Sequence, residues 1–189
     1  MLTSTVRRLV RALPFQCWIE DRPVKGTGQL VLFLDFDGVL HHENCLWHPK
    51  KGAYLVAPSR YSLFQHAESL VAELVPFPNL QIVLSTSWVV RYGFSATKKR
   101  LPDALQRRCI GATFHSRAMD KQTFLQTPRG EQVLADVSMR RPARWVALDD
   151  NFEGWPANVP WIQTDPYEGI SGTGVLDKLR KVLWDMHNV

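Results

Sequence analysis

Short apolar runs alternate along the chain with longer stretches whose apolar residues recur at helical spacing. Five runs read as buried strands: Leu30 to Leu34, Leu80 to Leu84, Cys109 to Phe114, Arg144 to Leu148 and Trp161 to Gln163. Between them, Ser59 to Leu74 places Leu63, Ala67, Leu70, Val71 and Leu74 on one helical face, with Ser59 set as an N-cap and Pro76 ending the run. Gly130 to Met139 and Thr173 to Met186 repeat that spacing. Arg91 to Arg108 is less regular and is interrupted by Pro102, while His41 to Pro58 has no period and reads as a loop beside the active crevice. Such alternation predicts an α/β fold, a mainly parallel five-stranded sheet flanked by helices. Residues 30–189 are expected to form this domain and residues 1–29 an N-terminal extension.

Three of the strands run directly into polar residues, Asp35, Ser85 and Asp149, at the ends where a parallel sheet opens its ligand crevice. The first continues Asp35-Phe36-Asp37-Gly38. Extended chain has a period of two, so Asp35 and Asp37 face one way and Phe36 the other. Two carboxylates about 4 Å apart repel by roughly 4 kcal/mol at an effective dielectric of 20, so a phosphate can join them only with a cation present. Mg²⁺, which prefers oxygen ligands, suits that demand. Gly38 permits a sharp turn and close approach of the backbone to a ligand.

The run from Leu32 to Leu40, an apolar strand followed by Asp35-x-Asp37-Gly-Val-Leu, resembles the first motif of the haloacid dehalogenase (HAD) superfamily of phosphohydrolases. Ile82-Val83-Leu84-Ser85-Thr86-Ser87-Trp88 resembles its second motif and Trp145-Val146-Ala147-Leu148-Asp149-Asp150 its fourth. Together with Gly154-Trp155, these are closest to the HAD domains associated with Swiss Army Knife RNA repair proteins. The resemblance implies a Rossmann-like HAD fold with Asp35 as nucleophile and Asp37 as general acid and base. It also implies a Mg²⁺ site built from Asp35, Asp37 (through its backbone carbonyl), Asp149 and Asp150, with Ser85 and the Thr86 N–H binding phosphate. The third motif departs from the usual pattern, which places a Lys ahead of the helix entering the fourth strand. Here Arg129 fits by location, Lys121 competes with it, and Arg117 is more distant. Little chain is left for a cap domain, so the crevice is expected to be open.

At 189 residues, 45% hydrophobic and 22% charged, the chain has the composition of one globular domain rather than a disordered or repetitive one. No apolar run reaches the roughly 18–20 residues of a membrane span, which predicts a soluble protein. Cys17, Cys45 and Cys109 are odd in number and widely spaced, as expected of reduced thiols in a cytoplasmic protein. The basic N-terminal segment with Arg7, Arg8 and Arg11 reads either as a docking helix or frayed terminus or, superficially, as a transit peptide. A net charge of +5 favours encounter with polyanions, although the basic residues fall in small groups typical of solvated faces.

His41, His42, Cys45 and His48 match no strong zinc spacing and read as loop residues, His41 or His42 being candidate substrate contacts. Trp47, Trp88 and Trp155 serve either as packing or as platforms for a base. The expected activity is Mg²⁺-dependent hydrolysis of phosphate monoesters through an aspartyl-phosphate, on nucleic-acid ends or nucleotides. The rival is a HAD-fold module that binds phosphorylated RNA or protein without turnover.

Overall fold

The computed structural model describes residues 25–188. Five strands, β1 (Leu30–Leu34), β4 (Gln81–Leu84), β5 (Cys109–Ala112), β6 (Arg144–Asp149) and β7 (Trp161–Gln163), form one all-parallel sheet in the order β5-β4-β1-β6-β7. A second, two-stranded antiparallel sheet pairs β2 (Cys45–His48) with β3 (Gly52–Leu55). Both faces of the large sheet are covered, which is why its strands are nearly continuous apolar runs. Alternate residues divide between two cores. Leu32, Leu34, Ile82, Leu84, Val146 and Leu148 pack with the buried faces of α1 (Ala67–Leu74) and α7 (Val175–His187). Val31, Phe33, Val83 and Ala147 pack on the opposite face with Val133 of α6 (Arg129–Arg140). Each such side chain contributes about 1.5–3 kcal/mol when fully buried.

Chain connections from β1 run toward β4 and those from β6 toward β7, so the sheet reverses its winding between β1 and β6. A crevice outside the carboxyl ends of the strands follows from that reversal. The register aligns Leu34 with both Leu84 and Leu148. Hydrogen bonds carry the ladder one residue further: Ser85 N–H donates to Leu34 at 2.9 Å and Asp35 N–H to Leu148 at 3.2 Å. Asp35, Ser85 and Asp149 therefore share one layer.

Several expected elements differ in the structure. The helix expected from Ser59 begins at Ala67, preceded by His66, and Ser59 does not cap it. Phe64, with φ of 60°, turns the chain so that its ring packs on Phe36, His41 and Trp88; this contact outweighs the helical spacing. The segment expected as a loop from His41 to Pro58 contains the β2–β3 hairpin, whose strands stay half-buried or exposed and so carry no strong alternation. The irregular stretch after β4 divides into α2 (Trp88–Tyr92), α3 (Phe94–Lys98) and α4 (Asp103–Arg108), separated at Gly93 and Pro102. A short α5 (Lys121–Gln126), capped by the Asp120 carboxylate accepting from Thr123 N–H, has no counterpart in the expected pattern. The expected strand Cys109 to Phe114 ends at Ala112.

Among the described residues the hairpin is the only addition to the sheet other than helices, and no helix is long and apolar enough to cross a membrane. Cys45 and Cys109 are free thiols. The N-terminal basic segment and Cys17 lie outside the described residues. Arg108 donates to the carbonyls of Leu74, Phe77 and Leu80, and Arg140 is bound to Asp136, so part of the basic charge holds the fold together.

Candidate active site

Asp35 leaves β1 with its carboxylate accepting from Phe36 N–H at 2.7 Å, while the Phe36 ring turns into the core, as the extended period requires. Carboxylate oxygens of Asp35, Asp149 and Asp150 all lie within 4.8 Å of one another. Gly38 makes this approach feasible: with φ of 68°, any Cβ there would lie 2.3 Å from the Asp150 carboxyl carbon. The close neighbour that demands glycine is thus the Asp150 side chain itself.

Arg129 reaches the cluster from the first turn of α6, its Nη2 3.5 Å from Asp35 Oδ2 and its Nε 3.4 Å from Asp149 Oδ2. Gln132 Oε1 accepts from Arg129 Nη1 at 2.9 Å and steadies the guanidinium. The start of α6 is pinned by Gly130, whose N–H donates to Glu153, and a Cβ at Gly130 would meet the Gly154 backbone at 2.3 Å. Lys121, in contrast, is exposed on α5 and joins no ion pair among the described residues, and Arg117 is exposed.

Burial is the main cause that raises the Asp35 and Asp149 carboxyls above the usual range; Arg129 opposes it at both, while the Asp37 carboxylate adds at Asp35 and the Asp35 carboxylate adds at Asp149. Asp150 is pushed up to about 7, first by burial and then by Asp35. Desolvation works against the charge on Arg129, but the surrounding carboxylates outweigh it and hold the guanidinium charged. Three carboxylates facing one guanidinium leave an excess of two negative charges when all are ionised. Asp149 Oδ2 is buried and, despite its ion contact with Arg129, accepts no hydrogen bond. An all-oxygen set with an open buried acceptor fits a hard divalent cation. Ser85 is fully buried, its hydroxyl has no partner and caps no helix, so an oxyanion donor stands beside the cluster. Thr86 is also buried, and its hydroxyl bonds to Asp35.

Asp37, expected at the metal through its backbone carbonyl, places its carboxylate beside His41 and Cys45 and still lines the crevice with Asp35. Trp88 Nε1 donates to both of its oxygens, at 3.0 and 2.9 Å, and His41 Nε2 lies 3.0 Å from Oδ1. Because His41 Nδ1 accepts from Phe64 N–H at 3.3 Å, the ring proton sits on Nε2 and donates to Asp37. The sequence gives no sign of this pairing beyond the spacing of four between Asp37 and His41. His41 is therefore a buried holder of Asp37 rather than a substrate contact. His42 is buried beside Tyr61 and Tyr167, and His48 is exposed with its Nδ1 bonded to Lys50 N–H. Burial, and then Asp37, push the Cys45 thiol up to about 12, so without a metal it is not a reactive thiolate. Of the three tryptophans considered as base platforms, Trp155 stacks on Trp161 and Trp88 is buried against Asp37; Trp47 keeps 41% of its surface exposed.

A parallel sheet reversing beside its first strand, with acids at the ends of β1 and β6 and a hydroxyl at the end of β4, defines the class as a HAD-type α/β domain. The chain belongs to the HAD domains of Swiss Army Knife RNA repair proteins, whose family model matches residues 31–175. Membership implies phosphohydrolase-type chemistry in an RNA-repair setting. No curated protein and no solved structure matches the chain.

Proposed function

We propose that the domain is a Mg²⁺-dependent phosphohydrolase that cleaves phosphate monoesters, with phosphorylated nucleic-acid ends as its substrates. The observation that carries this reading is the convergence of Asp35, Asp149 and Asp150 with Arg129 around a buried, unsatisfied carboxylate oxygen. Asp149 and Asp150, with Asp35 and the Asp37 backbone carbonyl, would hold the ion. Mg²⁺ bound there would neutralise the carboxylates and the phosphate and supply a Lewis acid for the phosphoryl oxygens.

Asp35 attacks phosphorus as the bond to the leaving oxygen breaks, forming an aspartyl-phosphate. Asp37 delivers a proton to that oxygen and as carboxylate then takes one from the water that attacks phosphorus, releasing phosphate and Asp35. Trp88 and His41 hold the Asp37 carboxylate in place for both transfers. The Ser85 hydroxyl and the Thr86 N–H bind phosphoryl oxygens, and Arg129 orients Asp35 and Asp149 while balancing their charge.

The test is phosphate release from an aryl phosphate by the wild type and Asp35→Asn, each with Mg²⁺ and with EDTA. Release only by the wild type with Mg²⁺ supports the mechanism. Activity in EDTA, or full activity in the variant, rejects it, and specific binding without turnover by the wild type favours a non-catalytic module.

A further inference from the structure

Asp37 stands between two openings. On one side lies the acidic crevice, about 490 Å³, lined by Asp35, Glu43, Arg129 and Asp150. On the other is a pocket of about 230 Å³ walled by the β2–β3 hairpin and α2, with Trp47, Ser87, Trp88, Arg91 and Tyr92 around Asp37. A group that protonates a leaving oxygen must face the organic part of the ester, so this second pocket is where that part sits if the proposed hydrolysis holds.

The pocket's chemistry selects its occupant. Leu46 and Trp47 pair with Tyr54 and Ala53 in the hairpin yet stay 51% and 41% exposed. The Arg91 guanidinium lies 4.5 Å from the Trp47 ring centre, and that of Arg100 lies 4.3 and 5.2 Å from the centres of Tyr92 and Trp88. Neither arginine joins an ion pair among the described residues, so both charges are free to meet an anion. Aromatic faces interleaved with unpaired guanidiniums suit a planar base with a phosphate next to it. Sugar hydroxyls would find few partners, Ser87 being the main neutral one. The volume is below the roughly 300–1,000 Å³ of sites for larger ligands, which limits the occupant to about one nucleoside.

We infer that this pocket is a base subsite. It receives the terminal nucleoside of a single-stranded, phosphorylated nucleic-acid end by stacking on Trp47, with Arg91 and Arg100 taking the next backbone phosphate. The inference rests on the proposed phosphohydrolase reading only for the side on which the leaving group lies.

Equilibrium binding isolates the subsite from turnover. Trinucleotides with a 3′- or 5′-terminal phosphate, each with a normal or an abasic terminal residue, are titrated with Mg²⁺ into Asp35→Asn and into Asp35→Asn/Trp47→Ala. In Asp35→Asn the terminal base of at least one strand is expected to strengthen binding about five- to a hundredfold. In the double variant that advantage disappears, while the abasic strands bind both proteins equally. A base effect of equal size in both proteins, no base effect in either, or tighter binding of a phosphotyrosine peptide than of either strand overturns the subsite. Failure of the wild type to release phosphate from an aryl phosphate overturns the hydrolase reading instead.

Discussion

The acidic cluster makes the metal-free protein sensitive to pH in a direction that distinguishes it from an ordinary surface. With carboxylate oxygens within 4.8 Å of one another, each like-charged pair costs at least about 3.5 kcal/mol at an effective dielectric of 20. Arg129, 3.4 and 3.5 Å from two of them, returns about 5 kcal/mol with each, so the Coulomb terms nearly cancel and burial of the carboxylates remains as the cost. Asp150, pushed up to about 7, binds its proton more tightly in the folded protein than in the unfolded chain. The contribution of Asp150 to stability is therefore greatest below the ordinary carboxylate range near pH 4 and is lost as pH rises through 7. Moving the carboxyl from its ordinary range to about 7 corresponds to roughly 4 kcal/mol, and screening at this partly solvated group reduces it to about 2 kcal/mol. About half of that change falls between pH 5 and 8, because the unfolded carboxyl titrates near pH 4, so Tm in EDTA should fall by about 2–4 °C over that range for a chain of this length. Burial lowers the pKa of His66 and adds a slope of opposite sign, so the comparison that isolates Asp150 is wild type against Asp150→Asn. Calorimetric or fluorescence melts should show Asp150→Asn raising the metal-free Tm more at pH 8 than at pH 5. Saturating Mg²⁺ should stabilise the wild type at pH 8 by about 2–3 kcal/mol, and less in the variant. If Asp150→Asn lowers the metal-free Tm at pH 8, or Mg²⁺ stabilises it as much as the wild type, the charge argument is wrong.

Three further outcomes are expected. Arg129→Met should lower kcat for an aryl phosphate at least about a hundredfold, with partial recovery in Arg129→Lys, whereas exposed Lys121→Ala should match the wild type in the same assay. Trp88→Phe removes a hydrogen bond to Asp37 worth about 1.5–3 kcal/mol when charged, so kcat should drop about ten- to a hundredfold on an alkyl phosphate and much less on p-nitrophenyl phosphate, whose leaving group needs little protonation. Arg140→Met strands the fully buried Asp136 carboxylate, which Arg140 grips at 2.6 and 2.9 Å; denaturant unfolding should show a loss of about 3–5 kcal/mol.

The sheet was legible because strands buried on both faces are written as unbroken apolar runs, and β1, with Val31 to Leu34 all inaccessible, is the clearest case. The acids and Ser85 were legible for a related reason: polar residues directly at the ends of such runs can only lie at the rim. What escaped the pattern was tertiary. Ser59 has the chemistry of a cap, but the packing of Phe64 on His41 and Trp88 delays the helix to Ala67. The hairpin hid because its outer face meets solvent. Arg129, not Lys121, lies beside the acids, at the helix start held by the close contact of Gly130 with Gly154, two glycines that look like ordinary loop residues until the backbones meet. Likewise, nothing in the spacing from Asp37 to Trp88, 51 residues apart, announces that one holds the other.

The measurement that bears most directly on the account is chemical trapping of the phosphorylated enzyme. Wild-type protein is mixed with substrate and Mg²⁺, quenched, reduced with borohydride and mapped by peptide mass spectrometry. Reduction of an acyl-phosphate should convert Asp35 alone to homoserine, and omission of Mg²⁺ should abolish the signal. Conversion at another carboxylate, or turnover with Asp35 never modified, would contradict the assignment of Asp35 as the nucleophile.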